Sequence, residues 1–159
     1  MSDLRVRRLA PDDWEVYREV RLRMLQDAPD AFASRYEQAV ERTEADWREV
    51  LHACDHHLAE RDGAPVGAAG LVLHGREANL IGMWVSPPFR GSGAGEVLVE
   101  AVCRRAAELG HPRVLLDVVE GNDRARRFYE RCGFRFTGRR QLVPGRQDAW
   151  EDQMARELG

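Results

Sequence analysis

The segment "SPPFRGSGAGEVLVE", residues 86–100, decides the fold of this chain. Three glycines at alternate positions, Gly91, Gly93 and Gly95, precede a stretch whose apolar residues recur at helical spacing. The start of a helix offers unpaired backbone N–H groups at the positive end of the helix dipole, and glycines let a bulky anion approach them closely. The pattern therefore favours a phosphate-binding loop over a tight turn that binds nothing.

The loop differs from the two best-known glycine-rich phosphate motifs. A P-loop requires a lysine, and all 24 basic residues of this chain are arginines. A dinucleotide-binding fingerprint requires G-x-G-x-x-G, but its last glycine would fall on Glu96 when counted from Gly91 and on Leu98 when counted from Gly93. A nucleotide-binding domain therefore stays open only as a hypothesis that rests on the glycines alone.

The composition predicts one folded domain, residues 1–159. The chain is 43% apolar and 32% charged, and its net charge of -3 argues against nucleic-acid binding through phosphate contacts. No apolar run reaches the roughly 20 residues of a membrane span, and the N-terminus lacks the apolar segment of a signal peptide. We expect a cytoplasmic protein that does not bind membranes, and the use of arginine alone suggests a GC-rich bacterial genome.

The periodicity predicts an α/β order with a mixed sheet: strand, two helices, three strands, helix, strand, helix and two strands. Asp62-Gly63 is a strong hairpin signal, and residues 79–119 should form a right-handed parallel crossover. The near-continuous apolar run "RVLLDVV" at 113–119 indicates a strand covered on both faces. Asn122 is a candidate N-cap for the helix that follows.

The cysteines and histidines suggest no metal site. Cys54, Cys103 and Cys132 are far apart, so free thiols are expected. The segment "HACDHH" at 52–57 matches no ligand spacing that binds a metal. We interpret it as a solvated helix end or loop.

Two segments carry a family resemblance: "LIGMWVSPPFRGSGAG" at 80–95 and "LLDVVEGNDRARRFYERCGF" at 115–134. Together with the helix between them, they resemble the GNAT superfamily of acetyl-CoA-dependent N-acetyltransferases, specifically over residues 79–136 and in element order over residues 3–158. The resemblance implies an α/β fold (α+β by some schemes) of three layers. Its central sheet should be mixed and mostly antiparallel, with six to seven strands flanked by about four helices.

The resemblance also implies the reaction and the cofactor contacts. The acetyl group of acetyl-CoA, a co-substrate, would pass to a primary amine of a small molecule or peptide by direct attack in a ternary complex, without a metal. The pyrophosphate would rest on the loop amides, and the pantetheine arm would run along the preceding strand. The implied cofactor-binding residues are Met83, Trp84, Val85, Arg90, Gly91, Ser92, Gly93, Ala94, Gly95, Glu96, Asn122 and Tyr129.

The same resemblance suggests acid–base roles. Tyr129 matches the acid that protonates the departing sulfur. Asp117 is a candidate base, although an Asp paired with an arginine explains its place in an apolar strand equally well. Asn79 stands where other members carry a catalytic Glu, and Glu77, two residues earlier, would have to act through a water. A backbone N–H near Val85 would stabilise the oxyanion.

The amine acceptor is left open by the sequence. The family resemblance places it near residues 24–50 and 138–150, where acidic and aromatic residues are candidates for holding a cation. For most of them a simpler interpretation is that the charged residues lie on a solvated helix face and the tryptophans lie in the core. These candidates are Asp27, Asp30, Glu37, Trp47 and Trp150. A non-catalytic acyl-CoA-binding module is the alternative function, and a homodimer is possible.

Overall fold

The computed structural model describes residues 3–29 and 35–159. Within these residues the chain forms seven strands and five α-helices, in the predicted order. They are β1 Leu4–Arg8, α1 Trp14–Asp27, α2 Tyr36–Ala39, α3 Glu44–Ala53, β2 Asp55–Arg61, β3 Ala64–His74, β4 Glu77–Val85, α4 Ala94–Glu108, β5 Arg113–Val119, α5 Asp123–Arg131, β6 Arg135–Leu142 and β7 Trp150–Glu157. The four-residue helix α2 is the one that the periodicity did not predict, because it is too short to show a period.

The strands form one mixed sheet in the order β1-β2-β3-β4-β5-β7-β6. Strands β4 and β5 pair in parallel, whereas β1 with β2, β2 with β3, β5 with β7 and β6 with β7 pair antiparallel. The β2–β3 hairpin turns at Asp62 and Gly63, which have φ of 51° and 83° as a tight hairpin turn requires. The expected mixed, mostly antiparallel sheet is confirmed.

The chain divides into two compact units, and the first lies within residues 1–72 and 81–102. Its core is centred on Trp47, which is fully buried and meets the Tyr17 ring edge-on at 5.8 Å. Helix α3 starts with a capping box in which Thr43 and Asp46 each bond the other's backbone N–H. This box satisfies two of the N–H groups that a helix start leaves unpaired.

The second unit lies within residues 73–80 and 103–159. Strand β5 pairs with β7 along its whole length, from Arg113 opposite Glu157 to Val119 opposite Glu151. Its residues Val114, Leu115, Leu116 and Val118 are buried, but Asp117 and Val119 are exposed, so the prediction of a strand covered on both faces is wrong for the end of β5. In the described part of the chain, no helix is long and apolar enough to cross a membrane.

The interpretation of "HACDHH" as a solvated helix end or loop holds for His52 and is wrong for His56 and His57. Helix α3 ends at Ala53 with His52 exposed, and β2 starts at Asp55, so the two later histidines enter the sheet. His57 is 5% exposed, and His56 lies with its ring 4.7 Å from that of Tyr17. Burial, assisted by the positive charge of Arg21, lowers the pKa of His56 to about 4. Among the described residues no group of His, Cys, Asp and Glu has an arrangement suited to a metal ion, and the cysteines are free thiols as expected.

His56 should make stability depend on pH in the weakly acidic range. The unfolded imidazole takes up a proton near pH 6.5 and the folded one only near pH 4, so acid favours the unfolded state between these values. We expect the free energy of unfolding to fall by about 2–3 kcal/mol between pH 7 and pH 4.5. Urea titrations should show this loss, and His56→Gln should remove most of it.

The matched control is His52→Gln, which removes a surface histidine from the same helix–strand junction. This variant should keep the pH dependence of the parent protein. An equal pH dependence in the parent and in His56→Gln would contradict the assignment.

Candidate functional site

The loop between β4 and α4 has the open backbone that the glycine pattern predicted. Gly91 and Gly93 have φ of 80° and 94°, which side-chain-bearing residues rarely adopt. A Cβ atom built on either glycine would meet no atom within 4 Å. Gly95 instead lies in the first turn of α4, which starts at Ala94. Two of the three glycines are therefore needed for the loop conformation itself.

The amides of this loop divide into two groups. Arg90 and Ser92 donate their N–H groups within the loop, to the carbonyls of Pro87 and Phe89. The first intrahelical hydrogen bond of α4 runs from the Val97 N–H to the Gly93 carbonyl at 3.1 Å. The N–H groups of the preceding first turn therefore have no helical acceptor. At most five backbone N–H groups, those of Gly91 and of residues 93–96, are therefore available to bind an anion.

The end of β4 directs one peptide group away from β3. Ser86 donates its N–H to the Val66 carbonyl of β3 at 2.8 Å. Because successive residues of a strand point their backbone groups to opposite edges, the N–H and C=O of Val85 face away from β3. The Val85 carbonyl accepts a hydrogen bond from Arg90 Nε at 3.0 Å, which leaves the Val85 N–H as the group that can meet a ligand.

Strand β4 is irregular before this point. Gly82 has a φ of 58°, which breaks the regular pleat. The parallel pairing of β4 with β5 covers Ala78 with Val114 and Asn79 with Leu115. Trp84 is 5% exposed, and its indole Nε1 donates to Asp27 Oδ2 at 2.8 Å. A ligand along the outer edge of this strand would therefore meet the backbone of Met83 and Val85 and not the Trp84 ring.

The second unit presents Asp117 without an ion-pair partner among the described residues. Asp117 lies on β5 directly opposite Gln153 of β7. Partial burial raises the pKa of its carboxyl, and the nearby Glu151 raises it further, while Arg139 opposes them. The alternative, a structural ion pair with an arginine, is not found in the described part of the chain, although the charge of Arg139 acts on this carboxyl.

Tyr129 lies on α5 between two aromatic rings. Its ring centroid is 5.2 Å from that of Phe128 and 5.8 Å from that of Phe134. Burial raises the pKa of the Tyr129 phenol, with a further contribution from Cys132. The phenol is therefore neutral and able to donate a proton throughout the physiological range. Asn122 caps the same helix, since its side-chain oxygen accepts from the Ala125 N–H at 3.2 Å.

The two candidate bases lie apart in the second unit. Glu77 is exposed at the start of β4. Because Ala78 pairs with Val114, Glu77 is level with Arg113, whereas Asp117 lies four residues further along β5. At the rise of a parallel strand this separation is about 13 Å. The structure therefore brings Glu77 to a different part of the unit from Asp117.

Three of the five residues considered for the acceptor amine have other partners. Trp47 is a core residue with 0% exposure, and Arg42 lies over its ring at 5.1 Å. Asp27 accepts hydrogen bonds from Trp84 and from Arg90. Among the others, Trp150 is 43% exposed with the Arg140 guanidinium 5.3 Å from its ring, Glu37 is exposed, and Asp30 lies outside the described residues. The role of Asp27 could not be read from the sequence, since its partners lie 57 and 63 positions away.

Comparison with known proteins identifies the family. The chain matches the model of the Acetyltransferase (GNAT) family over residues 21–134. It is 37% identical over 101 residues to an uncharacterized N-acetyltransferase of Mycobacterium tuberculosis, a match that covers 63% of this chain and 65% of that relative.

Solved structures show the same fold. An acetyltransferase of the GNAT family from Streptococcus pneumoniae superposes with a TM-score of 0.80 at 19% identity, over 99% of this chain and 100% of that one. The PaiA N-acetyltransferase from Thermoplasma acidophilum, solved in complex with coenzyme A, gives a TM-score of 0.71 at 17% identity, over 98% and 99% of the two chains. With the seven-stranded mixed sheet and the family match, the chain belongs to the GNAT acetyltransferase family.

Proposed function

We propose that this chain is an acetyl-CoA-dependent N-acetyltransferase, acting as a single domain, that acetylates a primary amine of a small molecule or peptide. The observation that carries the proposal is the open backbone of Gly91 and Gly93 at the start of α4. Membership of the family supports it, as does the neighbour PaiA, which was solved in complex with coenzyme A. Transfer proceeds by direct attack of the amine on the thioester in a ternary complex.

The first unit binds the cofactor mainly through its backbone. The amides of Gly91 and of the first turn of α4 hold the diphosphate, helped by the helix dipole. The pantetheine arm lies along the edge of residues 83–85 that faces away from β3 and hydrogen-bonds to their backbone as an added strand would. The Val85 N–H, which faces away from β3, donates to the carbonyl oxygen as it gains negative charge.

The second unit supplies the proton transfers. Asp117 takes a proton from the attacking amine as the new C–N bond forms, and its raised pKa makes it a better base than an ordinary aspartate. Tyr129 gives its phenolic proton to the sulfur as the C–S bond breaks, so the products are the amide and the free thiol of coenzyme A. Its neutral state at physiological pH suits this role. The proton on Asp117 leaves to solvent, from which Tyr129 is reprotonated.

Two further residues have supporting roles in this proposal. Asn122 caps α5 with its side-chain oxygen, which leaves its side-chain NH2 group free to bond the pantetheine arm. Glu77 is the competing base, which would act through a water. We favour Asp117 because partial burial and the nearby Glu151 raise the pKa of its carboxyl, whereas Glu77 is exposed at the start of β4, four residues back along the parallel pair.

Binding and turnover with several ligands test the proposal. Calorimetry should show binding of coenzyme A but not of ATP or NAD, and acetyl-CoA should release its thiol in the presence of at least one class of amine. Binding of coenzyme A with no turnover over a broad amine panel would instead support a non-catalytic acyl-CoA-binding module. Absence of coenzyme A binding would contradict both.

Replacing Tyr129 by Phe should slow the chemical step alone. Loss of the general acid should lower kcat by about 100-fold, while the Kd for coenzyme A stays within about twofold because the hydroxyl does not hold the diphosphate. Tyr17→Phe removes a hydroxyl from another buried phenol and is the matched control. Equal kcat in the parent and in Tyr129→Phe would exclude Tyr129 as the acid.

Replacing Asp117 by Asn should change the pH profile. A base with a raised pKa is deprotonated only at higher pH than an ordinary aspartate, so kcat/KM should rise with pH through that pKa. Asp117→Asn should lose this acidic limb and about 100-fold in kcat/KM. Glu77→Gln is the control and should keep the limb. Loss of the limb in Glu77→Gln and not in Asp117→Asn would transfer the role of base to Glu77.

A further inference from the structure

The last residue of α1 carries a carboxylate that two later segments share. Asp27 Oδ2 accepts a hydrogen bond from the Trp84 indole Nε1 at 2.8 Å and one from Arg90 Nη2 at 2.7 Å. These three residues form what we call the Asp27 cluster. It joins the end of α1, the end of β4 and the first residue of the glycine loop, all within the first unit.

Arg90 is fixed at a second point. Its Nε atom donates to the Val85 carbonyl at 3.0 Å, so one planar guanidinium bridges the Asp27 carboxylate and the last peptide of β4. This arrangement folds the side chain of Arg90 back onto the strand. The first residue of the loop is thereby held at a set distance from the Val85 peptide.

A neighbouring residue of α1 reinforces the same strand end. Arg23, one turn before Asp27, donates to Ser86 Oγ at 3.2 Å, and its guanidinium carbon lies 5.6 Å from the centroid of the Trp84 ring. Helix α1 therefore contacts both residues that flank Val85. The peptide whose N–H faces away from β3 is held between them.

The cluster is suited to positioning more than to global stability. The hydrogen bond from Trp84, and then that from Arg90, lowers the pKa of the Asp27 carboxyl, so the group is ionised at neutral pH. The side chains of Arg90 and Asp27 are 38% and 28% exposed. Ion pairs with this much exposure contribute little to the stability of a fold, whereas a shared oxygen with two directional donors fixes orientation.

We propose that Asp27 is a positioning residue for cofactor binding, acting through Arg90 and Trp84. It holds the end of β4 and the start of the glycine loop in the geometry that receives the diphosphate and the thioester carbonyl. The inference rests on the proposed function, since it needs coenzyme A as the ligand. It also assigns Asp27 to the cofactor, in place of the role as a ligand of the cationic amine that the sequence suggested.

The substitution Asp27→Asn tests the inference by separating cofactor from amine. The Kd for coenzyme A and the KM for acetyl-CoA should both rise about tenfold, while kcat at saturating cofactor and the KM for the amine stay within about twofold. The control Asp12→Asn removes another carboxylate that pairs with an arginine, Arg48 at 2.7 Å. It should leave all four quantities unchanged.

A double-mutant cycle with Arg90→Gln gives a second, independent measurement. Arg90→Gln alone should also weaken coenzyme A binding, and adding Asp27→Asn to it should raise the Kd by a smaller factor than Asp27→Asn does in the parent, because the part of the effect that passes through Arg90 is already lost. Independent, additive effects would overturn the inference even if Asp27→Asn alone folds poorly.

The remaining outcomes distinguish this inference from the proposed function. If the parent protein binds coenzyme A and Asp27→Asn binds it equally well, only the positioning role is overturned. A rise confined to the KM for the amine would overturn it too, and would make Asp27 an acceptor ligand. A parent protein that does not bind coenzyme A overturns both.

Discussion

A single backbone hydrogen bond, from the Ser86 N–H to the Val66 carbonyl, sets the chemistry of the candidate site. It bonds Ser86, the residue directly after β4, to β3, and by the alternation of a strand it turns the Val85 peptide away from β3. The loop amides begin only a few residues later. The proposed oxyanion donor and the proposed diphosphate site are therefore joined by one short stretch of backbone, which starts from a hydrogen bond to the sheet.

Much of the fold could be predicted because its signals are local. The β2–β3 hairpin follows from Asp62-Gly63, whose positive φ angles the turn requires, and β5 follows from a run of apolar residues that both faces of a sheet can bury. The helix cap at Asn122 is likewise a contact over three residues. "HACDHH" failed for the opposite reason. His56 and His57 are polar by type, and only the pairing of β2 with β1 and β3 shows that they lie within the sheet.

The candidate site could be predicted in its backbone and less well in its side chains. Positive φ at Gly91 and Gly93 follows from residue type, since few other residues adopt it. The engagement of Asp27 with Arg90 depends on how α1 packs on β4, which no local pattern encodes. The same holds for Asp117: its apolar neighbours predicted a costly carboxylate, but only the structure shows that no arginine among the described residues pairs with it.

Binding through backbone explains how this fold persists while its sequence changes. Most of the proposed cofactor contacts, in the loop and along β4, are made by peptide groups, and a peptide group is the same whichever side chain it carries. What must be kept is the geometry: glycines where φ is positive, and side chains such as Asp27 that hold the loop to the strand. A TM-score of 0.80 at 19% identity shows that the fold is kept while the sequence changes. The proposed proton transfers are different, because Tyr129 and Asp117 would act through their own functional groups. Substitutions should therefore change the reaction and the choice of acceptor in proteins of this fold more readily than they change the affinity for the cofactor.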